Sequence, residues 1–207
     1  MAQPAKAPVL SYDQIAVVAS KFLARHHPEE TFPIPIEEIV ELKLGISVYP
    51  CPGLRAQHGI EGYISRDLKT ITVDLNLFEN PSFESRYRFT LAHELAHHEL
   101  HRDLFASASY SDINGYKKFC QSLSEENTDW YEWQGFAFAG LVLVPRPALR
   151  QQFDLLIERA EQEMGAAFSD WREEVFSRTC MALQRQFGVS PGTLRKRLKK
   201  DGIQPLG

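Results

Sequence analysis

The segment His93-Glu94-Leu95-Ala96-His97 combines residue types and a spacing that could do chemistry. On a helix, residues four apart sit one turn from each other on the same face. Two imidazoles placed there can meet one tetrahedral zinc ion at about 2.0–2.1 Å each. Glu94, beside the first of them, can reach a water at the metal without itself occupying the metal. A carboxylate so placed can take a proton from the water and pass it to a leaving amine. The histidine and glutamate content of the chain makes this pattern a rare accident, expected by chance about 0.02 times. Thr90-Leu91-Ala92 and Leu95-Ala96 are apolar or small, so the helix is expected to be buried, and buried imidazoles need partners.

A catalytic zinc site takes three protein ligands and leaves the fourth position open. The extended motif with a glycine three residues and a histidine six residues after the second histidine is excluded, because Leu100 and Asp103 stand there. His101 is turned too far around the helix to share the ion, and is expected to lie behind the ligands or in solvent. His98 is expected at the surface. The best third ligand is Glu132, with Gly135, Phe136 and Ala139 on its own helical face. A glycine one turn on lets two helices approach closely, and a carboxylate on so apolar a helix is costly unless it is paired or bound to metal. Glu125 and Glu126 read as solvated loop acids, and Gln134 as structural.

These groups need elements to hold them. Ser11 to Ala24 carries Ile15, Val18 and Phe22 on one stripe and reads as a helix capped by Ser11 or Asp13. Ile36 to Leu44 is a second helix stopped by Gly45, and Ile46 to Tyr49 a strand. Gly59 to Ser65 and Thr70 to Leu75 flank a polar turn and read as a hairpin. Phe83 to Leu104 is the central helix. Ala106 to Thr128 is polar and Ser-rich, with Asn114-Gly115 as a turn signal. Asp129 to Val144 is a strongly apolar helix, and Pro147 to Glu163 and Phe168 to Phe187 are further helices.

With 43% hydrophobic and 24% charged residues in 207, the chain can bury a core without disulfides. Cys51, Cys120 and Cys180 are distant from one another and odd in number, which points to a reducing compartment, read as the cytoplasm. No run approaches the roughly 18–20 apolar residues of a membrane span, and Met1 to Val9 lacks the apolar stretch of a signal peptide.

The block from Arg88 to His97, with Leu100-His101, resembles the ImmA/IrrE metallopeptidase family. So do Glu132-Trp133-Gln134-Gly135 through Phe138-Ala139, Leu143 and Pro145, and more weakly Ile71-Thr72-Val73 and Phe187-Gly188-Val189-Ser190. The chain departs from the family pattern at Ala96, where glycine is frequent, at Gly135-Phe136, where Ala-Asn is usual, and at Val144, where Met is usual. None of these is a proposed ligand. The resemblance implies an α+β fold, a minimal zincin-like domain of a small sheet plus active-site helices over 11–165. Residues 1–10, Ala/Pro-rich, are expected to be disordered, and a helical, helix-turn-helix-like segment over 166–207 is expected to follow. The resemblance also implies one zinc per chain on His93, His97 and Glu132, with Glu94 as the catalytic residue. The implied activity is cleavage of helix-turn-helix transcriptional repressors, which relieves repression of stress-response or mobile-element genes.

A rival reading rests on the C-terminal end. Met181 to Phe187 and Thr193 to Lys200 flank Ser190, a good N-cap, and Pro191, suited to a first helical turn. Arg195, Lys196, Arg197, Lys199 and Lys200 could contact phosphates, so DNA is a possible partner through 185–200 and the chain a DNA-binding regulator carrying a metal site. A helical pair packed on the catalytic domain or gripping a protein partner explains the same residues. For a peptide substrate, the Thr70 to Leu75 strand is the candidate sheet edge to which it would add. Tyr63, Tyr110, Tyr131 and His101 are the candidates for stabilising an oxyanion. Arg88 is expected in a structural salt bridge.

Overall fold

The computed structural model describes residues 7–123, 125–164 and 172–203. Its core is a helical pair laid against a small sheet. Helix α1 (Tyr12–His26) opens on a reciprocal cap, in which the Ser11 hydroxyl accepts from the Gln14 backbone N–H and the Gln14 side chain accepts from the Ser11 N–H. Helix α2 (Ile36–Glu38) runs on as a π-turn over Ile39–Lys43, and Gly45 follows at φ +66°. Strands β1 (Ser47–Cys51), β2 (Gly62–Ile64) and β3 (Thr70–Asp74) come next, with helix α3 (Leu54–His58) between the first two.

Among the described residues the sheet has the order β1-β3-β2. β1 runs parallel to β3, with Tyr49 opposite Thr72, and β2 runs antiparallel to it, with Tyr63 opposite Thr72. The expected hairpin is present. Its second strand, however, is not the edge: β3 is the middle strand, with Ile71 and Val73 fully buried and Thr72 and Asp74 nearly so. Alternating sequence suggested one wet face, but Asp74 is buried because it caps helix α4 (Leu75–Glu79) and accepts from the Arg55 N–H at 2.8 Å. The free edge on the helix side is β2.

A 3₁₀ turn at Pro81–Phe83 leads into α5 (Glu84–Leu100), which breaks at His101 before α6 (Arg102–Ala106). The Ser-rich stretch expected as loop contains a helix, α7 (Ile113–Ser122). Asn114-Gly115 lies in its first turn, where the Gly115 N–H donates to the Asp112 carboxylate. Then come α8 (Glu125–Leu143), α9 (Arg146–Met164), α10 (Arg172–Phe187) and α11 (Pro191–Lys200), the last capped by Ser190. Phe168 to Trp171 of the expected last long helix fall outside the described residues.

α5 and α8 make the most extensive helix contact in the molecule. Both are enclosed nearly all round, so neither shows a strong apolar stripe. On α5, Tyr87, Arg88 and every residue from Thr90 to His97 are buried. Phe187, Val189, Leu194 and Leu198 share a single buried cluster with Leu91, Ile71 and Phe138. Arg197 is not presented to solvent. It is 3% exposed, donates to the Val144 carbonyl and the Tyr12 hydroxyl, and pairs with Asp201 at 2.8 Å. At the other end, Ala7 is buried and the Pro8 carbonyl accepts from the Gln134 amide at 2.7 Å. Residues 1–6 lie outside the described part.

Candidate metal centre

His93 and His97 project from successive turns of α5 toward α8, and Glu132 projects back from α8. One ligand atom from each of the three lies within 4.8 Å of the other two, and His93 Nε2 is 3.1 Å from Glu132 Oε2. Three corners of a tetrahedral zinc shell lie about 3.4 Å apart, so the set closes on an ion with small side-chain adjustments. The approach of the helices depends on Gly135, one turn after Glu132, which lies against the His93 ring.

The chemistry of the donors fits a cation. His97 Nε2 is buried without a hydrogen-bond partner, while its Nδ1 is engaged by His101. Burial, reinforced by the charges of His93 and His101, holds the His97 pKa well below that of a free imidazole. It therefore stays neutral, as a ligand must. Burial would also depress His93, but the hydrogen bond to Glu132 and the charges of Glu94 and Glu132 outweigh it and raise its affinity for positive charge. Glu132 is pushed up by burial and pulled down further by His93 and Tyr131, so it is held as a carboxylate. A cluster of two buried imidazoles and a half-buried carboxylate, which attracts positive charge at two members and keeps a bare nitrogen at the third, suits zinc.

Glu94 stands beside these ligands. Burial and the neighbouring Glu132 raise its pKa to about 7, while His93 and the Ile64 backbone N–H act the other way. Its Oε2 is buried and has no partner. A carboxyl group poised near neutrality with one free oxygen is suited to carry a proton.

The site opens into a cleft of about 480 Å³. Gly59 to Gly62 form one wall, Phe89, Phe136 and Glu132 another, and Tyr116 and Cys120 the end. Along β2 the pairing alternates: Glu61 O and Ser65 N bond to β3, so Gly62 and Ile64 turn their peptide groups away from it. The Ile64 groups are occupied, its carbonyl by the Tyr110 hydroxyl at 2.8 Å and its N–H by Glu94. Gly62 presents its own to the cleft.

Several expectations are redistributed by this geometry. Tyr110 is used by Ile64, and Tyr131 is wholly buried with its ring on His97, so neither faces a substrate. His101 is buried behind His97, on the side away from the cleft-lining residues. Tyr116, not foreseen, lines the cleft and stacks on Tyr63. The Ser-rich composition and Asn114-Gly115 mask helix α7 in the sequence, although Ile113, Tyr116, Phe119 and Cys120 follow helical spacing after the cap at Asp112. Glu125 and Glu126 belong to α8 rather than to a loop, and their side chains lie outside the described part. Among the described residues Arg88 has no salt-bridge partner. It donates to the carbonyls of Ile34 at 2.7 Å and Gly188 at 3.3 Å, tying two chain segments to the active helix. His98 is half-buried and bonds to Glu99 and Arg102.

The sequence model of Peptidase_M78, the IrrE N-terminal-like domain, matches residues 44–199. The chain belongs to this family. The match spans both helices that carry the triad and the sheet edge. No curated protein sequence matches the chain. Among solved structures, a Mycobacterium tuberculosis transcriptional regulator shares the fold at a TM-score of 0.53 and 16% identity, over 89% of this chain and 46% of that one. The chain thus spans about half the length of that protein. Among the described residues no helix is long and apolar enough to cross a membrane.

Proposed function

We propose that the chain is a zinc-dependent metalloendopeptidase with His93, His97 and Glu132 as ligands and Glu94 as the general base. The observation that carries this reading is the convergence of two buried imidazoles and the half-buried Glu132 carboxylate beside an unpartnered Glu94 oxygen, at the head of an open cleft. When bound, the zinc supplies Lewis-acid polarisation of the water and the scissile carbonyl. The rest falls to the chain. Gly62 offers its outward peptide groups to an extended substrate, which adds as a strand beside β2. Phe89 and Phe136 provide an apolar wall next to His93, with Phe136 4.6 Å from its ring. Glu94 Oε2 takes the proton of the attacking water and returns it to the amine nitrogen as the peptide bond breaks.

The proposed substrate is a helix-turn-helix transcriptional repressor, whose cleavage in the cytoplasm would relieve repression of stress-response or mobile-element genes. Family membership supports this choice, and the three free cysteines suit a reducing compartment. The test is incubation of the zinc-loaded chain with such a repressor. Cleavage that stops on chelation and is restored by zinc is expected. Loss of bound zinc in His93→Ala, His97→Ala and Glu132→Ala is expected with it, and full occupancy in any of these overturns the ligand set.

A second reading, a DNA-binding regulator carrying the metal site, is favoured by one observation: Arg195, Lys196, Lys199 and Lys200 are exposed on α11. Binding of duplex DNA that falls steeply between low and moderate salt would support it. No binding at low salt sinks it.

A further inference from the structure

His97 Nδ1 lies 2.9 Å from His101 Nδ1, and both rings are buried, at 0% and 1% exposure. Two imidazole nitrogens at that distance share one proton, so one ring donates and the other accepts. Which ring does which follows from the far side of His97. His97 belongs to the cluster with His93 and Glu132, and with Nδ1 engaged by His101 its Nε2, buried without a hydrogen-bond partner, is the nitrogen left for a cation. A nitrogen that gives its lone pair to a cation carries no proton. His97 therefore holds its proton on Nδ1 and donates it to His101, and His101 must carry its own on Nε2.

That second proton also has a destination. His101 Nε2 and Gln134 Oε1 are both buried without a hydrogen-bond partner, and Gln134 lies near enough to the His101 ring to raise its affinity for a proton. The orientation of the amide is set from its other end, where Nε2 donates to the Pro8 carbonyl at 2.7 Å. Oε1 is thus the atom turned to His101. The Tyr131 ring packs on both imidazoles, 4.8 Å from His97 and 5.6 Å from His101, and keeps their planes from turning.

We propose that His101 and Gln134 are positioning residues for the metal centre, a buried relay from His97 through His101 and Gln134 to Pro8 that fixes the tautomer and ring plane of the second histidine ligand. The inference rests on the reading of the triad as a zinc site. It gives one function to three features otherwise unrelated: a histidine one turn past the motif, a glutamine two residues after the third ligand, and an N-terminal carbonyl. Helix α8 then serves the centre twice, supplying Glu132 directly and steadying His97 from behind.

The test is zinc affinity of the full chain, measured by competition with a chromophoric chelator, together with the visible spectrum of the cobalt(II)-substituted protein. Partners of this kind carry roughly 10–100-fold in metal affinity. His101→Ala is expected to weaken zinc by that factor and to shift the cobalt bands. His101→Asn, whose amide can both accept and donate, recovers most of the loss, which a merely space-filling role would not predict. Gln134→Leu weakens zinc about tenfold. Nitrogen-15 imidazole spectra of the zinc-loaded wild type need no variant at all, and place the proton of His97 on Nδ1 and that of His101 on Nε2. The opposite tautomers, or folded His101→Ala and Gln134→Leu with wild-type zinc affinity and cobalt spectra, overturn the relay alone. A wild-type chain that binds no zinc overturns the metal site and the relay with it.

Discussion

Gly135 sits so close to His93 that a Cβ added to it would stand 2.7 Å from Cε1 and 3.0 Å from Nδ1 of the imidazole. Replacing a glycine inside a helix by alanine ordinarily stabilises by about 0.5–1 kcal/mol. Here the methyl must displace the His93 ring held on the other helix, and overpacking of this kind costs about 1–3 kcal/mol. Gly135→Ala should therefore weaken zinc binding and fail to raise the melting temperature. Chelator competition and thermal unfolding check this. Full zinc affinity with a raised Tm would show that the helices have room to spare.

Arg88 should matter for stability and not for metal binding. Arg88 is 6% exposed, and its guanidinium satisfies the Ile34 and Gly188 carbonyls. Arg88→Met leaves these acceptors buried, at about 1–3 kcal/mol for each. Urea unfolding should show a loss of at least about 2 kcal/mol, while the zinc stoichiometry of the folded variant stays at wild type. An unchanged unfolding midpoint would contradict this role.

The basic residues of α11 should divide into two classes. Arg197 is buried and paired with Asp201, and removing one member of a buried pair costs about 3–5 kcal/mol. Arg195 is exposed, and its replacement by alanine should fall within about 0.5 kcal/mol. Urea denaturation of Arg197→Met beside Arg195→Ala measures the contrast. Equal effects would mean that Arg197 is no more anchored than its neighbours.

The readable part of this molecule is the part governed by local spacing. His93 and His97 announce themselves because a helical turn puts them on one face, Glu94 by its place beside the first of them, and Glu132 because a lone acid on an apolar helix must be compensated. The Gly62 to Ile64 and Thr70 to Asp74 hairpin was legible from alternation and a polar turn. Its neighbour was not. Nothing in Thr70 to Asp74 says that β1 will pair on its far side, since that depends on where a separate segment docks. Tyr116 was missed because serine and Asn-Gly content outweighed a helical period that the Asp112 cap makes workable. Arg88, Arg197 and Gln134 find backbone carbonyls far away in sequence, at Ile34, Gly188, Val144 and Pro8. Such partners carry no side-chain signal, so only the folded chain reveals them.

The most direct measurement is made on Glu94→Gln. The amide keeps the size and polarity of the carboxylate beside the Ile64 N–H but cannot accept the water's proton. Metal analysis should find about one zinc per chain, as for the triad left intact. Cleavage of a helix-turn-helix repressor should fall by roughly 10²–10⁴-fold, the contribution of a positioned general base. A zinc-loaded Glu94→Gln protein that cuts at the wild-type rate would contradict the account.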